Sequence, residues 1–240
     1  MKLKKNIILF GSSGLIGSSL KKGFNKNYNI IGIDKKKGRN TDILLDTSKF
    51  KLSEKTINKI INKYKKIDAV IICLYPRAKI KKKTKYLNLN FKEFALEFNT
   101  HLEPFYNLNK IFINYFEKNK GGSIINFTSI YGSFLPRFEI YKKTNMNMPM
   151  YYALVKSSII MMTKFLAKQY LHKNIKINTI SPGGIFDNQN KNFLKKYGNY
   201  SASKKLLNSQ DVIGIVELLI SDKAKKITGQ NIIIDDGFTL

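Results

Sequence analysis

Short apolar runs alternate along this chain with longer segments in which apolar residues recur at helical spacing. The short runs are rich in isoleucine and lack the polar alternation of half-exposed strands, which is typical of parallel strands that are covered on both faces. The alternation predicts an α/β fold with a doubly wound parallel sheet flanked by helices. The predicted strands are Asn6–Phe10, Tyr28–Asp34, Ile43–Leu45, Asp68–Leu74, Gly122–Ser129, Ile175–Ile180 and Asn231–Asp235.

Helical segments are predicted between these strands. The first opens at a glycine turn and ends near Phe24, and the others are Ser53–Tyr64, Phe91–Phe116, Met150–Leu171 and Asp211–Ser221. No linker rich in Pro, Gly or Ser and no internal repeat interrupts this order, so residues 1–240 are predicted to form a single domain. Ligands of such a sheet bind outside the carboxyl ends of the strands.

A glycine-rich turn joins the first strand to the first helix in the pattern G-x-x-G-x-x-G. Glycines allow a tight turn and a close approach of the backbone to phosphates, and the following helix offers its N–H groups and the positive end of its dipole. The turn is therefore a candidate site for a dinucleotide pyrophosphate. The residues expected at the cofactor are Gly11, Ser13, Gly14, Leu15, Ile16 and Gly17.

Two acids follow neighbouring strands. Asp34 closes the second strand, seventeen positions after Gly17. A carboxylate there accepts hydrogen bonds from the ribose hydroxyls and repels a 2′-phosphate, which predicts NAD over NADP. The three lysines at 35–37 could neutralise that repulsion, so NADP stays open. Asp46 has two interpretations, since it either faces the adenine or merely ends the third strand.

A tyrosine and a lysine four positions apart, Tyr152 and Lys156, share one helical face, so that the ammonium can lie beside the phenol. This pair follows a strand that carries Ser129, and it begins a long apolar helix. Such a group can transfer protons to or from a substrate. The same spacing also occurs elsewhere in the chain, and we interpret Tyr106/Lys110 and Tyr200/Lys204 as surface pairs.

The chain resembles the short-chain dehydrogenase/reductase family over essentially its whole length. The resemblance rests on an ordered set of features: the glycine turn, Asp46, Asn99, Ser129, Tyr152/Lys156, Ser181–Gly184, Thr228–Gln230 and Asp235–Gly237. It implies a single-domain Rossmann fold with seven strands in the order 3-2-1-4-5-6-7. It also implies nicotinamide-dependent hydride transfer to or from a carbonyl carbon.

The resemblance also implies a role for each site residue. Tyr152 is the acid/base, and because a free phenol has a pKa near ~10, work near neutrality requires a shift of about three units. The charge of Lys156 favours the phenolate, and its ammonium can reach the nicotinamide ribose. Ser129 holds the carbonyl oxygen, and Asn99 holds a water that links Lys156 to solvent. Beside the nicotinamide carboxamide lie Pro182, Gly183 and Ile185.

Several segments depart from the common family pattern. Leu15 stands where the second glycine usually lies, and Asp187 stands where a threonine often meets the cofactor. The usual Asn-Asn-Ala-Gly segment after the fourth strand is replaced by Ile72–Tyr75. The hydrogen bonds that this segment normally gives to the central sheet must therefore come from elsewhere.

The separation between Ser129 and Tyr152 is longer than usual, and the added residues 132–150 are expected at the mouth of the substrate cleft. Together with residues 75–77 and 181–189 they resemble a subgroup of bacterial surface-polysaccharide and flagellin-glycan synthesis, the flagellin modification protein A type. The candidate substrate residues are Arg77 and Arg137, which could hold a phosphate or carboxylate, and Tyr131, which with Phe138 and Tyr141 could stack on a sugar. The alternative is a helix-capping loop or a subunit contact.

Composition changes this picture little. The net charge of +27 is the difference between 43 basic and 16 acidic residues. Only three of the basic residues are arginine, and the lysines are spread along the chain. We interpret this as codon bias rather than as a nucleic-acid surface, although the dense run Lys79–Lys85 keeps a nucleic-acid binder open. The single cysteine, Cys73, fits a reducing compartment and no apolar run is long enough to span a membrane, so a cytoplasmic protein is expected. His101 and His172 form no metal-ligand pattern, and no metal is expected.

The first hypothesis is a cytoplasmic NAD(P)-dependent oxidoreductase that acts on a sugar derivative. The alternative is a catalytically silent dinucleotide-binding regulator or scaffold. Family members commonly pair through their two long central helices, so we expect a homodimer or homotetramer.

Overall fold

The computed structural model describes residues 4–24, 28–47, 50–64, 66–76 and 86–240. Within them, seven strands form one parallel sheet in the order β3-β2-β1-β4-β5-β6-β7, as the resemblance implied. The strands are β1 Asn6–Phe10, β2 Asn29–Asp34, β3 Ile43–Leu44, β4 Ala69–Ile72, β5 Gly122–Phe127, β6 Ile175–Pro182 and β7 Asn231–Ile234.

Six α-helices are described. They are α1 Leu15–Phe24, α2 Phe50–Tyr64, α3 Phe91–Lys118, α4 Met150–Gln169, α5 Lys191–Gly198 and α6 Ile213–Ile220. Helix α3 begins with a reciprocal cap, in which the side chain of Asn90 accepts from the backbone of Glu93 and the Glu93 side chain accepts from the backbone of Asn90. None of the helices in the described part of the chain is long and apolar enough to cross a membrane.

Helices cover both faces of the sheet, and the alternation along β1 shows how. Ile8 and Phe10 face the cluster formed with α2, α3 and α4, whereas Ile7 and Leu9 face the cluster formed with α1 and α6. All four side chains are completely buried. Because successive side chains of a strand point to opposite faces, a strand covered twice must be apolar throughout. This is the physical reason for the uninterrupted apolar runs in the sequence.

A buried polar network lies on one face of the sheet, between β5 and the helices α3 and α4. Asn126 on β5 donates to Oδ1 of Asn109 (3.2 Å) and to Oγ1 of Thr163 (3.0 Å), and Asn109 donates to Oδ1 of Asn126 (2.9 Å) and to the carbonyl of Phe105 (2.8 Å). The three polar side chains are completely buried. Side chains from β5, α3 and α4 thus tie the sheet to its helices, next to the segment that departs from the family pattern.

The Thr163→Val variant is expected to lower the free energy of unfolding by about 1–3 kcal/mol, because it leaves one amide hydrogen of Asn126 buried without an acceptor. Denaturant unfolding measures this difference. The matched control is Thr100→Val, since the Thr100 hydroxyl bonds only to the Leu96 carbonyl of its own helix. Equal stabilities of the two variants would contradict this role of the network.

The predicted fold class is confirmed, and the predicted elements differ from the observed ones mainly at their ends. Strand β5 ends at Phe127, so that Ser129 lies beyond it, and β6 continues to Pro182. Helix α5 was not predicted. It is only eight residues long, and it is held by the burial of Phe193 and Tyr197 against Phe238 near the end of the chain, a contact that no local pattern reveals.

Candidate active site

A cavity of about 820 Å³ opens at the carboxyl ends of β1, β2, β4, β5 and β6. Its position follows from the parallel sheet, in which the turns after successive strands converge at one edge. Most residues predicted for the site line it. They are Gly11, Ser13, Gly14, Leu15, Ile16, Asp34, Asp46, Ser129, Tyr131, Tyr152, Lys156, Pro182, Gly183 and Ile185.

The glycine turn forms the floor at one end of this cavity. Gly11 has φ +80°, and a Cβ atom there would lie 2.5 Å from the carbonyl oxygen of Cys73. Gly17 does not line the cavity, but a Cβ on it would lie 2.1 Å from the carbonyl oxygen of Gly11. Both positions therefore require glycine. The backbone is bare where a pyrophosphate would approach and α1 begins directly behind it, so the turn fits a dinucleotide.

Asp34 is fixed at the same end of the cavity. Its Oδ2 accepts from the backbone N–H of Ser13 (3.0 Å) and its Oδ1 from that of Lys36 (3.0 Å). These bonds hold the carboxylate where β2 ends and join it to the glycine turn. Asp46 lines the cavity nearby, and so do Lys35 and Lys36. The lysines that could offset the repulsion between Asp34 and the 2′-phosphate of NADP therefore lie beside the carboxylate.

The predicted acid/base group lies at the other end of the cavity. Ser129 follows β5 in extended conformation and caps a short 3₁₀ helix, Ile130–Gly132, through a bond from the N–H of Tyr131 to its Oγ (3.2 Å). The hydroxyl of Ser129 lies close enough to that of Tyr152 to act on its pKa. Lys156 lies one turn further along α4, with Nζ 5.5 Å from the centroid of the Tyr152 ring. The structure thus brings the three residues together.

Burial shifts the pKa values of this group. It raises the pKa of Tyr152, against the opposing effect of the Ser129 hydroxyl. It lowers the pKa of Lys156 to about 8. The direction for Tyr152 is opposite to the lowering expected from the sequence, because the loss of water around the phenol outweighs the effect of Ser129, and Tyr75 and Tyr131 raise the pKa further. A raised pKa keeps the Tyr152 phenol neutral, with its proton in place.

Asn99 does not belong to this group, since its side chain is exposed on α3 and does not line the cavity. The polar residues that are buried in this part of α3 are Glu97 and His101. Helical periodicity could have separated Asn99 from them. His101 continues the buried stripe of α3 that also contains Glu97, Pro104 and Leu108, whereas Asn99 lies off that stripe.

The predicted substrate residues are placed in different surroundings. Tyr131 lines the large cavity and accepts a hydrogen bond from the Tyr141 hydroxyl (3.0 Å). Arg137 does not line it. Its guanidinium donates to the carbonyls of Phe238 (3.4 Å) and Leu240 (3.2 Å) and lies 4.3 Å from the centroid of the Tyr200 ring. Arg77 lies outside the described residues.

The added segment 132–150 contributes to the wall of the cavity next to Tyr152. Its lining residues are Tyr141, Met146, Asn147, Met148 and Pro149. The opposite wall comes from the segment after β6, where Gly184 donates its N–H to the Tyr197 hydroxyl (2.7 Å). The lining there consists of Gly184, Asp187, Gln189, Phe193, Tyr197 and Leu206. This part of the cavity is therefore aromatic, with a few hydroxyl, amide and carboxylate groups.

Comparison with known proteins agrees with this geometry. A family model described as enoyl-(acyl carrier protein) reductase matches residues 29–239. The post-translational flagellin modification protein A of Campylobacter coli is 38% identical over 184 residues, which are 77% of this chain and 72% of that protein. The 3-oxoacyl-(acyl-carrier-protein) reductase of Thermotoga maritima is 26% identical over 191 residues, 78% of this chain and 72% of that protein.

The crystal structure of a short-chain dehydrogenase from Leptospira borgpetersenii with bound NAD+ has a TM-score of 0.86 at 32% identity, covering 99% of this chain and 93% of that chain. The chain therefore belongs to the short-chain dehydrogenase/reductase family. Within that family it is an oxidoreductase of the NAD(P)-dependent type. The family and the Rossmann fold that the sequence predicted are confirmed.

Proposed function

We propose that this chain transfers a hydride between NAD and a hydroxyl-bearing or carbonyl carbon of a sugar derivative in surface-glycan or flagellin-glycan synthesis. The observation that carries the proposal is that one and the same cavity joins the glycine turn and Asp34 at one end to Ser129, Tyr152 and Lys156 at the other. A dinucleotide laid along it would bring its reactive end to the side-chain hydroxyls of Ser129 and Tyr152.

The chain would hold the cofactor at two places. The glycine turn and the first N–H groups of α1 would take the pyrophosphate, and Asp34 would take the ribose hydroxyls. Pro182, Gly183 and Ile185 form the wall at the far end. When bound, the nicotinamide supplies or accepts the hydride.

The proton is handled by the protein. In the direction of reduction, Tyr152 gives its phenol proton to the substrate oxygen as negative charge develops there, and in oxidation it takes that proton back. Ser129 would donate its hydroxyl to the same substrate oxygen and stabilise the charge there. Lys156 carries its charge below about pH 8, the value to which burial lowers its pKa, and so stabilises the phenolate that remains.

The Asp34→Ala variant is expected to relax the preference for NAD over NADP, because it removes the carboxylate that would bond the ribose hydroxyls and repel a 2′-phosphate. Titration with NADH and NADPH, followed by nicotinamide fluorescence, gives the ratio of affinities. Asp211→Ala, at an exposed acid that does not line the cavity, is the control. A ratio unchanged by Asp34→Ala would show that this acid does not read the ribose.

The lining beside Tyr152 supports a sugar as the substrate class. Tyr131 and Tyr141 present aromatic surface with linked hydroxyls, and Asn147, Gln189 and Asp187 add groups that can bond sugar hydroxyls. Aromatic faces with a few placed polar groups are the usual composition of small-molecule sites. The similarity to a flagellin modification protein points in the same direction.

The test is a panel of hexose phosphates and nucleotide-linked amino sugars, incubated with the protein and NAD while reduced-nicotinamide absorbance is followed. A 3-oxoacyl thioester with NADH serves as the comparison, because it represents the reductase relative. Turnover of a sugar derivative in preference to the thioester is expected. Preference for the thioester would overturn the sugar assignment, and NADH binding without turnover across the panel would favour the silent dinucleotide-binding protein.

We propose further that two or four copies associate through α3 and α4. Both helices expose large apolar side chains, namely Phe91 (80% exposed) on α3 and Met161 (64%) and Phe165 (66%) on α4. Light scattering is expected to give a mass two or four times that of one chain. The Phe165→Glu variant should lower that mass, and a monomeric wild-type protein would contradict the proposal.

We place the reaction in the cytoplasm, since the only cysteine, Cys73, is a free thiol whose pKa is raised by burial. Among the described residues, no group of three or more His, Cys, Asp or Glu side chains could hold a metal ion. We assign the surplus of lysine no role in nucleic-acid binding.

A further inference from the structure

Lys21 is a buried lysine to which the proposed function gives no role. It lies on α1, does not line the cavity, and is only 7% exposed. Its Nζ donates to Oδ2 of Asp42 (2.6 Å) and to the carbonyl of Asn40 (3.0 Å). A buried ammonium costs free energy unless it is paired in this way. Both acceptors belong to the loop 35–42 between β2 and β3, so Lys21 joins this loop to α1.

The same loop is held against β2. Asp42 accepts the N–H of Gly32 with the oxygen that also binds Lys21 (2.7 Å), and it donates its own N–H to the carbonyl of Gly32 (2.9 Å). A Cβ on Gly32 would lie 2.2 Å from the carbonyl oxygen of Asn40, so the loop packs directly on the strand. The end of the loop is therefore fixed to α1 on one side and to β2 on the other.

Thr41, between the two residues that Lys21 contacts, holds the beginning of the loop. Its hydroxyl donates to the carbonyl of Lys36 (2.8 Å) and lies 2.6 Å from the hydroxyl of Ser13 in the glycine turn. Because a hydroxyl has one hydrogen and that of Thr41 goes to Lys36, Ser13 is the donor in the second bond. The N–H of Lys36 donates in turn to Oδ1 of Asp34 (3.0 Å). The hold of Lys21 on the loop thus reaches the Asp34 carboxylate.

These bonds determine which acceptor sites Asp34 offers to a ligand. A carboxylate has about four acceptor sites on its two oxygens. Two sites of Asp34 are taken, one on Oδ2 by the N–H of Ser13 and one on Oδ1 by that of Lys36. The remaining sites are enough for the two hydroxyls of an adenosine ribose. If Lys36 moves, Oδ1 loses the bond that orients it.

We propose that Lys21 is a positioning residue for cofactor recognition. By holding the loop 35–42 between α1 and β2, it keeps the N–H of Lys36 on Asp34 and so orients the carboxylate toward the adenosine ribose. Lys21 does not line the cavity, so it acts on the cofactor only through the loop. This inference rests on the ribose-binding role proposed for Asp34.

The Lys21→Met variant is expected to bind NADH about tenfold more weakly than the wild type, because a carboxylate that is no longer oriented loses one of its hydrogen bonds to the ribose. Fluorescence titration measures the affinity. The matched control is Lys22→Met, since Lys22 is the next residue of α1, is exposed, and carries the same charge. The control should bind NADH normally. Equal affinities of the two variants would overturn the proposal.

A double-mutant cycle with Asp34→Ala separates positioning from general damage to the site. Without the carboxylate the loop has nothing left to orient, so Lys21→Met should change the NADH affinity of the Asp34→Ala protein by less than about twofold. The same tenfold loss in both backgrounds would show that Lys21 supports the site by another route, and would overturn the proposal.

A second variant covers the case in which Lys21→Met does not fold. Thr41→Val keeps the shape of the side chain and the pairing of Lys21 with Asp42, and removes the hydroxyl that holds Lys36. It should weaken NADH binding severalfold in the wild-type background and leave it unchanged beside Asp34→Ala. A Thr41→Val protein that binds NADH like the wild type would contradict the proposal.

The cycle also distinguishes the two proposals. If Asp34→Ala binds NADH and NADPH as the wild type does, the ribose-binding role of Asp34 is wrong, and the role of Lys21 falls with it. If Asp34→Ala weakens NADH binding while Lys21→Met and Thr41→Val do not, only the positioning role of Lys21 is rejected.

Discussion

The Tyr152→Phe protein is expected to bind NADH as the wild type does and to turn over at least about a hundredfold more slowly, as the loss of a positioned acid or base commonly causes. The substitution keeps the ring that packs against Tyr75 and removes only the hydroxyl on which Ser129 acts. The shape of the cavity is thereby preserved. The missing proton donor, rather than altered binding, should account for the loss.

Tyr106→Phe is the matched control for this variant. Tyr106 also precedes a lysine by four positions, but it is exposed on α3 and does not line the cavity. It should retain the wild-type rate. Initial rates and NADH titrations of both variants measure the effect. A Tyr152→Phe rate within about tenfold of the wild type would remove Tyr152 from the acid/base role.

The Gly17→Ala protein is expected to lose most of its affinity for NADH, by about a hundredfold, equivalent to about 2.7 kcal/mol. The added Cβ would lie 2.1 Å from the carbonyl oxygen of Gly11, which is a backbone atom and cannot turn aside. The turn must therefore move, and with it the N–H groups that would face the pyrophosphate. NADH titration by fluorescence measures the loss.

Gly214→Ala is the control for that variant. Gly214 lies inside α6, and a Cβ there would meet nothing within 4 Å. Alanine is favoured over glycine inside a helix by roughly 0.5–1 kcal/mol, so this variant should bind NADH normally and unfold at a slightly higher temperature. A thermal unfolding transition shows whether Gly17→Ala is folded. If it is folded and still binds NADH like the control, the cofactor does not lie on the turn.

The fold was predictable because its signals are local. An apolar strand such as β1 must be covered on both faces, and the glycines at 11 and 17 fill places where the backbone leaves no room for a Cβ. Ser129 and Tyr152 follow from the same logic, since one lies just past a strand end and the other on the next helix. Residues fixed by the ends of parallel strands must meet at one edge of the sheet.

Other features depend on contacts between distant segments and could not be predicted in this way. Arg137 was expected in the substrate cleft, but its guanidinium donates to the carbonyl of Leu240. The sequence around Arg137 does not indicate this contact. The network of Asn126, Asn109 and Thr163 joins three elements, and each residue alone is an ordinary polar residue in an apolar segment. Asn99 was expected at the site, but it is exposed, whereas His101 is buried. The helical spacing of the apolar residues in α3 already indicates this difference in the sequence.

The central claim is that one cavity places a dinucleotide between Asp34 and Tyr152. The most direct measurement is a crystal structure of the protein grown with saturating NAD+. The account predicts the adenosine ribose within hydrogen-bond distance of the Asp34 carboxylate, the pyrophosphate on the glycine turn, and the nicotinamide next to the Tyr152 hydroxyl. A dinucleotide bound elsewhere, or one whose nicotinamide lies away from Tyr152, would contradict it.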